Sequence, residues 1–76
     1  MMRCLGMVDS GELVTVVGLN GGFGLCRKLA DMGLTPGVSL KVVHSQGRGP
    51  IVVDVRGSRI ALGFGVAQKV MVDGRG

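Results

Sequence analysis

Glycine divides this chain into short segments, and this feature limits most strongly what the chain can fold into. Fifteen of its 76 residues are glycine, and they stand without a regular period between short runs of apolar residues. Glycine supplies turns, bulges and helix ends because it tolerates backbone conformations that other residues avoid. A chain this small supports one hydrophobic core. We therefore expect a single domain, residues 1–76, in which a strongly bent sheet closes into a small barrel.

Five segments show the alternation of a β-strand, in which every second side chain faces the core. They are residues 12–17, 38–44, 51–56, 59–62 and 69–73. The residues predicted to face inward are Val14, Val16, Val38, Leu40, Val42, Ile51, Val53, Val55, Val70 and Val72. Gly57-Ser58 is the predicted two-residue turn of a hairpin. The fold class is accordingly all-β, a five-stranded barrel with one short helix inserted after the first long strand.

Residues 23–32 have the period of a helix instead. Leu25, Leu29 and Met32 recur at i, i+4 and i+7 and so share one helical face. Gly33 can take the left-handed conformation that ends a helix, with the next residue, Leu34, packing back on Leu29 in a Schellman motif. Residues 35–37, Thr-Pro-Gly, then fit a type II turn. We expect this helix to cover one open end of the barrel, and residues 63–68 to form a turn or a single helical turn.

The charge pattern argues against nucleic acid as a partner. The formal net charge is +4, but the basic residues are scattered along the sequence and form no concentrated face for phosphates. Phe23 and Phe64 are the only aromatic residues, and we expect both in the core, where no base could stack on them. No apolar stretch reaches the ~20 residues of a membrane helix. We therefore expect no membrane insertion and a cytoplasmic location, in which Cys4 and Cys26 remain reduced.

Catalytic and metal-binding patterns are sparse. The single histidine, His44, is not paired with a nucleophile by any recognisable spacing, and the five acidic residues suggest no acid–base pair. We predict no catalytic residue and no enzymatic activity. A closed zinc site usually needs four Cys or His ligands, whereas this chain has three such side chains. No metal site or cofactor is predicted, and Cys4, Cys26 and His44 stand as weak candidates for Fe(II) or another transition metal.

The segment from Arg27 to Gly37 is more specific than any of these patterns. A basic pair, a leucine-rich helical turn and then Gly-Leu-Thr-Pro-Gly resemble the hallmark of the FeoA family, ferrous-iron transport protein A. Gly49-Pro50-Ile51 resembles the family's entry to a hairpin, and Ile60-Ala61-Leu62 resembles part of its closing segment. In one departure, Gly63-Phe64-Gly65 stand where many relatives carry basic residues, so any contact of those residues is not expected in this chain.

This resemblance implies a fold and a partner. The fold would be an SH3-like barrel. The partner would be FeoB, a large membrane protein that moves ferrous iron and carries a cytoplasmic GTP-binding domain. The small chain would act as an accessory or regulator of that transporter and not as the conduit for iron.

A partner-binding site can be placed on this expected fold. SH3-like barrels hold peptide segments in grooves between loops. We predict such a groove between the end of the helix, with the turn that follows it, and the polar loop 45–50. The candidate contacts are Arg27, Lys28, Leu34, Pro36, Arg48 and Pro50. The simpler interpretation of Leu34 and Pro36 is that they end the helix and set the direction of the next strand.

Other functions remain open beside this one. A small basic barrel that binds RNA and a sensor module that binds a transition metal are the alternatives. Weak homo-oligomerisation through an uncovered edge strand is also open. Residues 1–4 and 74–76 are expected to fray at the two ends of the domain.

Overall fold

One antiparallel sheet organises the chain, which the computed structural model describes from residue 2 to residue 74. Its strands are β1 (Met2–Cys4), β2 (Leu13–Leu19), β3 (Ser39–His44), β4 (Ile51–Val55), β5 (Ser58–Leu62) and β6 (Val70–Asp73). Helix α1 (Phe23–Asp31) follows β2, the short helix α2 (Phe64–Ala67) joins β5 to β6, and a 3-10 turn (Leu5–Met7) follows β1. The strands lie in the order β1-β6-β2-β3-β4-β5.

The sheet has six strands where five were predicted, and its hydrogen-bonded ladder does not close in the described residues. β1 and β5 are its two edges. Register shifts between Val16 and Gly18 in β2, and between Val42 and His44 in β3, are typical of β-bulges, which bend strands. The result is a curved, barrel-like sheet with two edge strands instead of a closed barrel.

The additional strand, β1, corrects the prediction that the first residues fray. Met2 to Cys4 pair with Asp73 to Met71 of β6. Three residues are too few for a periodic pattern to reveal a strand, so only the neighbouring edge of β6 makes this segment one. The same prediction for residues 1, 75 and 76 lies outside the described residues.

The hydrophobic core lies between one face of the sheet and α1. Every residue predicted to face inward from the strands is at most 8% exposed, which confirms the alternation. Leu29 of α1 is fully buried, and Leu25 and Met32 pack against the core while remaining partly exposed. The turn after β1 adds Leu5, and α2 adds Ala67, both also fully buried.

The end of α1 has the predicted geometry. Gly33 has a φ of +86°, its N–H donates to the carbonyl of Ala30 (2.9 Å), and the N–H of Leu34 donates to the carbonyl of Leu29 (2.9 Å). This pair of bonds defines the Schellman motif. The type II turn is also confirmed, because Gly37 has a φ of +95° and the N–H of Val38 donates to the carbonyl of Thr35 (3.1 Å).

The β4–β5 hairpin turns one residue earlier than predicted. Val55 pairs with Ser58, so the two loop residues are Arg56-Gly57 and not Gly57-Ser58. Arg56 and Gly57 have φ values of +54° and +86°, the pattern of a type I′ turn. Arginine seldom adopts a positive φ, so the sequence alone did not predict a turn at Arg56-Gly57. The carboxylate of Asp54 supports it by accepting a hydrogen bond from the N–H of Gly57 (2.9 Å).

Candidate partner-binding groove

An open groove of about 210 Å³ lies between α1 and residues 61–66, which run from the end of β5 into α2. Leu25, Lys28 and Met32 form one wall, and Ala61, Gly63 and Val66 form the other. Leu29 and Leu62, both buried, form the floor. We refer to this feature as the α1–β5 groove.

The spacing of residues in α1 produces the first wall. Positions 25, 28, 29 and 32 recur at i, i+3, i+4 and i+7, so they share one helical face. Leu29 continues inward into the core, and Lys28 remains exposed. A lysine in such a position lays its methylene groups along apolar surface and keeps its ammonium group in water. The α1–β5 groove therefore has an apolar floor and a cation at its rim.

The opposite wall of the groove includes two small residues, Ala61 and Gly63, which project little from the surface. Ala61 is exposed, and a Cβ placed on Gly63 would meet no atom within 4 Å. Larger side chains at these two positions would project beside or over the floor. Residues 61–66 contain no Lys or Arg, so this wall of the groove carries no cation.

The six residues predicted to contact a partner do not all lie at one site in the structure. Lys28 lines the α1–β5 groove, whereas Arg27 and Pro36 are exposed outside it. The prediction that Leu34 contacts a partner is wrong, because its side chain is fully buried. Its role is the packing contact of the Schellman motif, which was the simpler interpretation of this residue.

Arg48 and Pro50 lie away from the end of α1. A Cβ on Gly33 would lie 4.0 Å from Cγ1 of Val55, so the helix end is beside the last residue of β4. Pro50 directly precedes β4 and so lies about 16 Å from Val55 along an extended strand. The N–H of Ser45 donates to the hydroxyl of Ser10 (2.8 Å), which holds this loop against the turn before β2. Arg48 and Pro50 therefore do not line the α1–β5 groove, and their contact with a partner stays a prediction.

The three weak metal-ligand candidates occupy separate elements. Cys4 is in β1, and Cys26 is in α1 with Sγ 3.7 Å from the carbonyl of Gly21. His44 ends β3, where its Nε2 lies 3.3 Å from Oε1 of Gln46. Among residues 2–74, no group of three or more His, Cys, Asp or Glu side chains converges as metal ligands.

One ion pair shifts the pKa values of both its side chains, and this pair lies outside the α1–β5 groove. The guanidinium of Arg3 donates to the carboxylate of Glu12, with Nη2 and Oε1 3.0 Å apart. This hydrogen bond, together with one from the N–H of Asp9 (2.8 Å), lowers the pKa of Glu12 below its ordinary value. The same bond to Glu12 raises the pKa of Arg3. The pair links β1 to the turn before β2 and so stabilises the edge of the sheet that the sequence did not reveal.

Phe23 is exposed, so the prediction that it lies in the core is wrong. It is 81% exposed, whereas Phe64 is partly buried. The period of the helix already indicated that Phe23 is exposed. Phe23 is two positions before Leu25, and a step of two residues turns an α-helix by about 200°. The helical period therefore already directed Phe23 away from the core.

The comparisons with known proteins agree with this fold. Residues 3–74 match the model of the FeoA domain family. A putative Fe(2+) transport protein A from Methanocaldococcus jannaschii is 39% identical over 72 residues, which cover 95% of this chain and 87% of that protein. A crystal structure of an iron uptake regulatory protein (FeoA) is 41% identical with a TM-score of 0.88, and the match covers 96% of both chains.

A more distant match shows the fold alone. A manganese-dependent transcriptional repressor is 24% identical to this chain with a TM-score of 0.86. The match covers 96% of this chain but only 41% of the repressor. The same fold therefore also occurs as part of a larger protein.

Fold and groove together define a small SH3-like β domain that carries an open apolar groove beside its helix. The chain belongs to the FeoA family of ferrous-iron transport proteins. No helix in residues 2–74 is long and apolar enough to span a membrane.

Proposed function

We propose that this chain is a cytoplasmic accessory protein, and not an enzyme, that regulates ferrous-iron transport by binding the cytoplasmic part of a FeoB-like membrane transporter. Membership of the FeoA family supports the transport role. The α1–β5 groove is the observation that carries the proposal of a protein partner, because it offers an apolar floor and a cation at one rim.

The size of the groove favours a protein segment over a metabolite. Pockets that enclose small-molecule ligands usually measure about 300–1,000 Å³, whereas this groove measures about 210 Å³ and is open to solvent. Such a groove suits one or two apolar side chains of a partner segment. A carboxylate beside those side chains would meet the ammonium group of Lys28.

RNA is the less favoured partner. The exposure of Phe23 removes one of the arguments against RNA, since this ring is available for stacking. However, proteins that bind single strands stack successive bases on several aromatic side chains, and the only other aromatic residue, Phe64, is partly buried. A protein partner therefore agrees better with the described surface.

Two substitutions of alanine by glutamate test the proposal. Ala61→Glu places a larger, charged side chain on the low wall of the groove, and Ala30→Glu makes the same change at another exposed site, on α1. Both sites are exposed, so we expect the fold to tolerate either change within about 0.5 kcal/mol. Isothermal titration against the soluble cytoplasmic domain of the cognate transporter should show affinity reduced about tenfold or more by Ala61→Glu alone.

Two results would contradict the proposal. The first is the absence of binding to the transporter domain when the unmodified chain is folded. The second is binding that Ala61→Glu and Ala30→Glu reduce equally, because the groove would then not be the contact. A salt titration against generic RNA tests the alternative partner, for which binding should weaken steeply as salt rises.

A further inference from the structure

The most exposed large apolar side chain of the described residues is Phe23, at the first position of α1. The residues around it are Gly21, Gly22 and Gly24, which have no side chains to cover the ring. Phe23 does not line the α1–β5 groove, and with 81% of its surface accessible it projects from the protein. An aromatic ring in this position costs solubility and contributes no burial to the core.

Three basic residues lie at the same end of the molecule as this ring. Arg27 is one helical turn after Phe23 and so lies on the same side of α1, whereas Lys28 is about 140° around the helix from Phe23, at the rim of the α1–β5 groove. Lys69 comes from another part of the chain, because its carbonyl accepts a hydrogen bond from the N–H of Asn20 (2.6 Å) in the loop that leads to Phe23. All three basic residues are exposed. We call Phe23, Arg27, Lys28 and Lys69 the Phe23 tip.

Most acidic residues lie far from the Phe23 tip. Asp9 and Glu12 precede β2, whose opposite end leads into the tip about 20 Å away. Asp54 pairs with Lys41, which pairs with Leu13 at that same distant end of β2.

The two remaining acids lie closer to the Phe23 tip than the first three. Asp73 pairs with Thr15, about 13 Å along β2 from its last residue. Charges at these distances are screened at physiological salt, where the Debye length is about 8 Å. Asp31, one turn after Arg27, is the only acid on the same helix, so cations dominate the Phe23 tip.

We propose that the Phe23 tip docks this chain peripherally on an anionic lipid bilayer, with the phenyl ring in the interfacial region and the three cations against lipid phosphates. A projecting ring with flanking cations fits a flat, negatively charged surface. A protein partner would instead be expected to bury such a ring in a pocket of its own. Aromatic residues favour the membrane interface, and basic residues are attracted to anionic lipids.

The expected strength of this docking is modest and reversible. Each Lys or Arg near an anionic membrane surface strengthens binding about fivefold. Three cations and one ring therefore give measurable partition onto vesicles without stable anchoring. Such docking would concentrate the chain on the membrane surface, and the Phe23 tip shares only Lys28 with the α1–β5 groove.

Co-sedimentation of the intact chain with lipid vesicles tests the proposal. We expect binding to mixed phosphatidylglycerol–phosphatidylcholine vesicles at about 0.1 M salt, weak binding to pure phosphatidylcholine, and loss of binding at about 0.5 M salt. Phe23→Ala should lower partition about fivefold, and Arg27→Glu about tenfold or more.

Matched substitutions at the other end of the molecule serve as controls. Leu13→Ala removes another exposed apolar side chain, 53% accessible, from the start of β2. Arg48→Glu makes the same charge reversal on the 45–50 loop, which Ser10 holds near that end. We expect both controls to partition within about twofold of the unmodified chain, and circular dichroism to show that all four variants are folded.

Three outcomes would overturn the proposal. They are no binding to anionic vesicles, equal losses in the test and control variants, or binding to a short RNA without binding to vesicles. The experiment contains only lipid and this chain, so its failure leaves the proposed binding of a transporter untested and separate. Binding to the transporter domain in solution, without vesicle binding, would support the proposed function and reject the lipid contact.

Discussion

The two ends of α1 differ in how firmly the chain fixes them. At its C-terminal end, Gly33 and Leu34 form a Schellman motif whose leucine is fully buried. At its N-terminal end, Gly22 is the N-cap and forms no side-chain capping bond, and the next residue, Phe23, is 81% exposed. The comparison teaches that the C-terminal end is anchored by a fully buried side chain, whereas the first side chain at the N-terminal end is not packed in the core. At that end the chain exposes an aromatic ring.

The largest expected effect comes from removing the buried anchor at the C-terminal end. Leu34→Ala should lower the free energy of unfolding by about 2–5 kcal/mol, because it leaves a cavity in a packed core. Urea denaturation measures this change. Phe23→Ala is the matched truncation at the other end and should change the free energy of unfolding by less than about 0.5 kcal/mol. Equal losses in the two variants would show that the ends do not differ as described.

Glycine-to-alanine substitutions at the two ends of α1 should change the free energy of unfolding in opposite directions. Gly33→Ala should destabilise by about 1–2 kcal/mol, since alanine at a φ of +86° is strained even though its Cβ would make only an ordinary contact, 4.0 Å from Val55. Gly24→Ala should stabilise by about 0.5 kcal/mol, because its Cβ meets no atom within 4 Å and alanine loses less backbone entropy in a helix. Paired urea or thermal melts give both values. The same sign for both would reject this contrast.

The smallest expected effect comes from adding a side-chain N-cap to α1. Gly22 already has the extended conformation of an N-cap, with φ −70° and ψ 171°, and a side chain there would meet open space. Gly22→Ser should therefore raise the free energy of unfolding by a few tenths of a kcal/mol, about 0.3. Gly22→Ala is the control, and it should lower stability because it offers no oxygen to the free N–H groups. A serine variant no more stable than the alanine variant would contradict the expectation.

Local signals made much of the fold predictable. The inward residues of β3 and β4 follow from alternation alone, and the end of α1 follows from Gly33, Leu34 and the Pro-Gly turn. These features depend on residues a few positions apart, whose conformational preferences act without help from the rest of the chain. The Schellman motif and the type II turn were therefore predicted residue by residue and confirmed.

Features that depend on distant neighbours escaped prediction. β1 exists because β6 offers an edge, and Arg56 adopts a positive φ because the pairing of β4 with β5 requires it. The predicted partner site also depends on distant neighbours. It combines residues 27–36 with residues 48–50, and β4 lies between the helix end and the 45–50 loop. Of the predicted contacts, only Lys28 lines the groove that formed.

The glycine-divided sequence by itself determined a single β domain with one inserted helix, the residues that enter its core, and the place where that helix ends. These depend on period and on backbone preference, which are local properties of the chain. Only the tertiary structure decided that α1 faces residues 61–66 across an open groove, and that Phe23 and three cations gather at one end while most acids lie at the other. The physical reason is that grooves and charged surfaces arise from segments brought together by strand pairing and core packing, and a linear pattern does not record which segments those are.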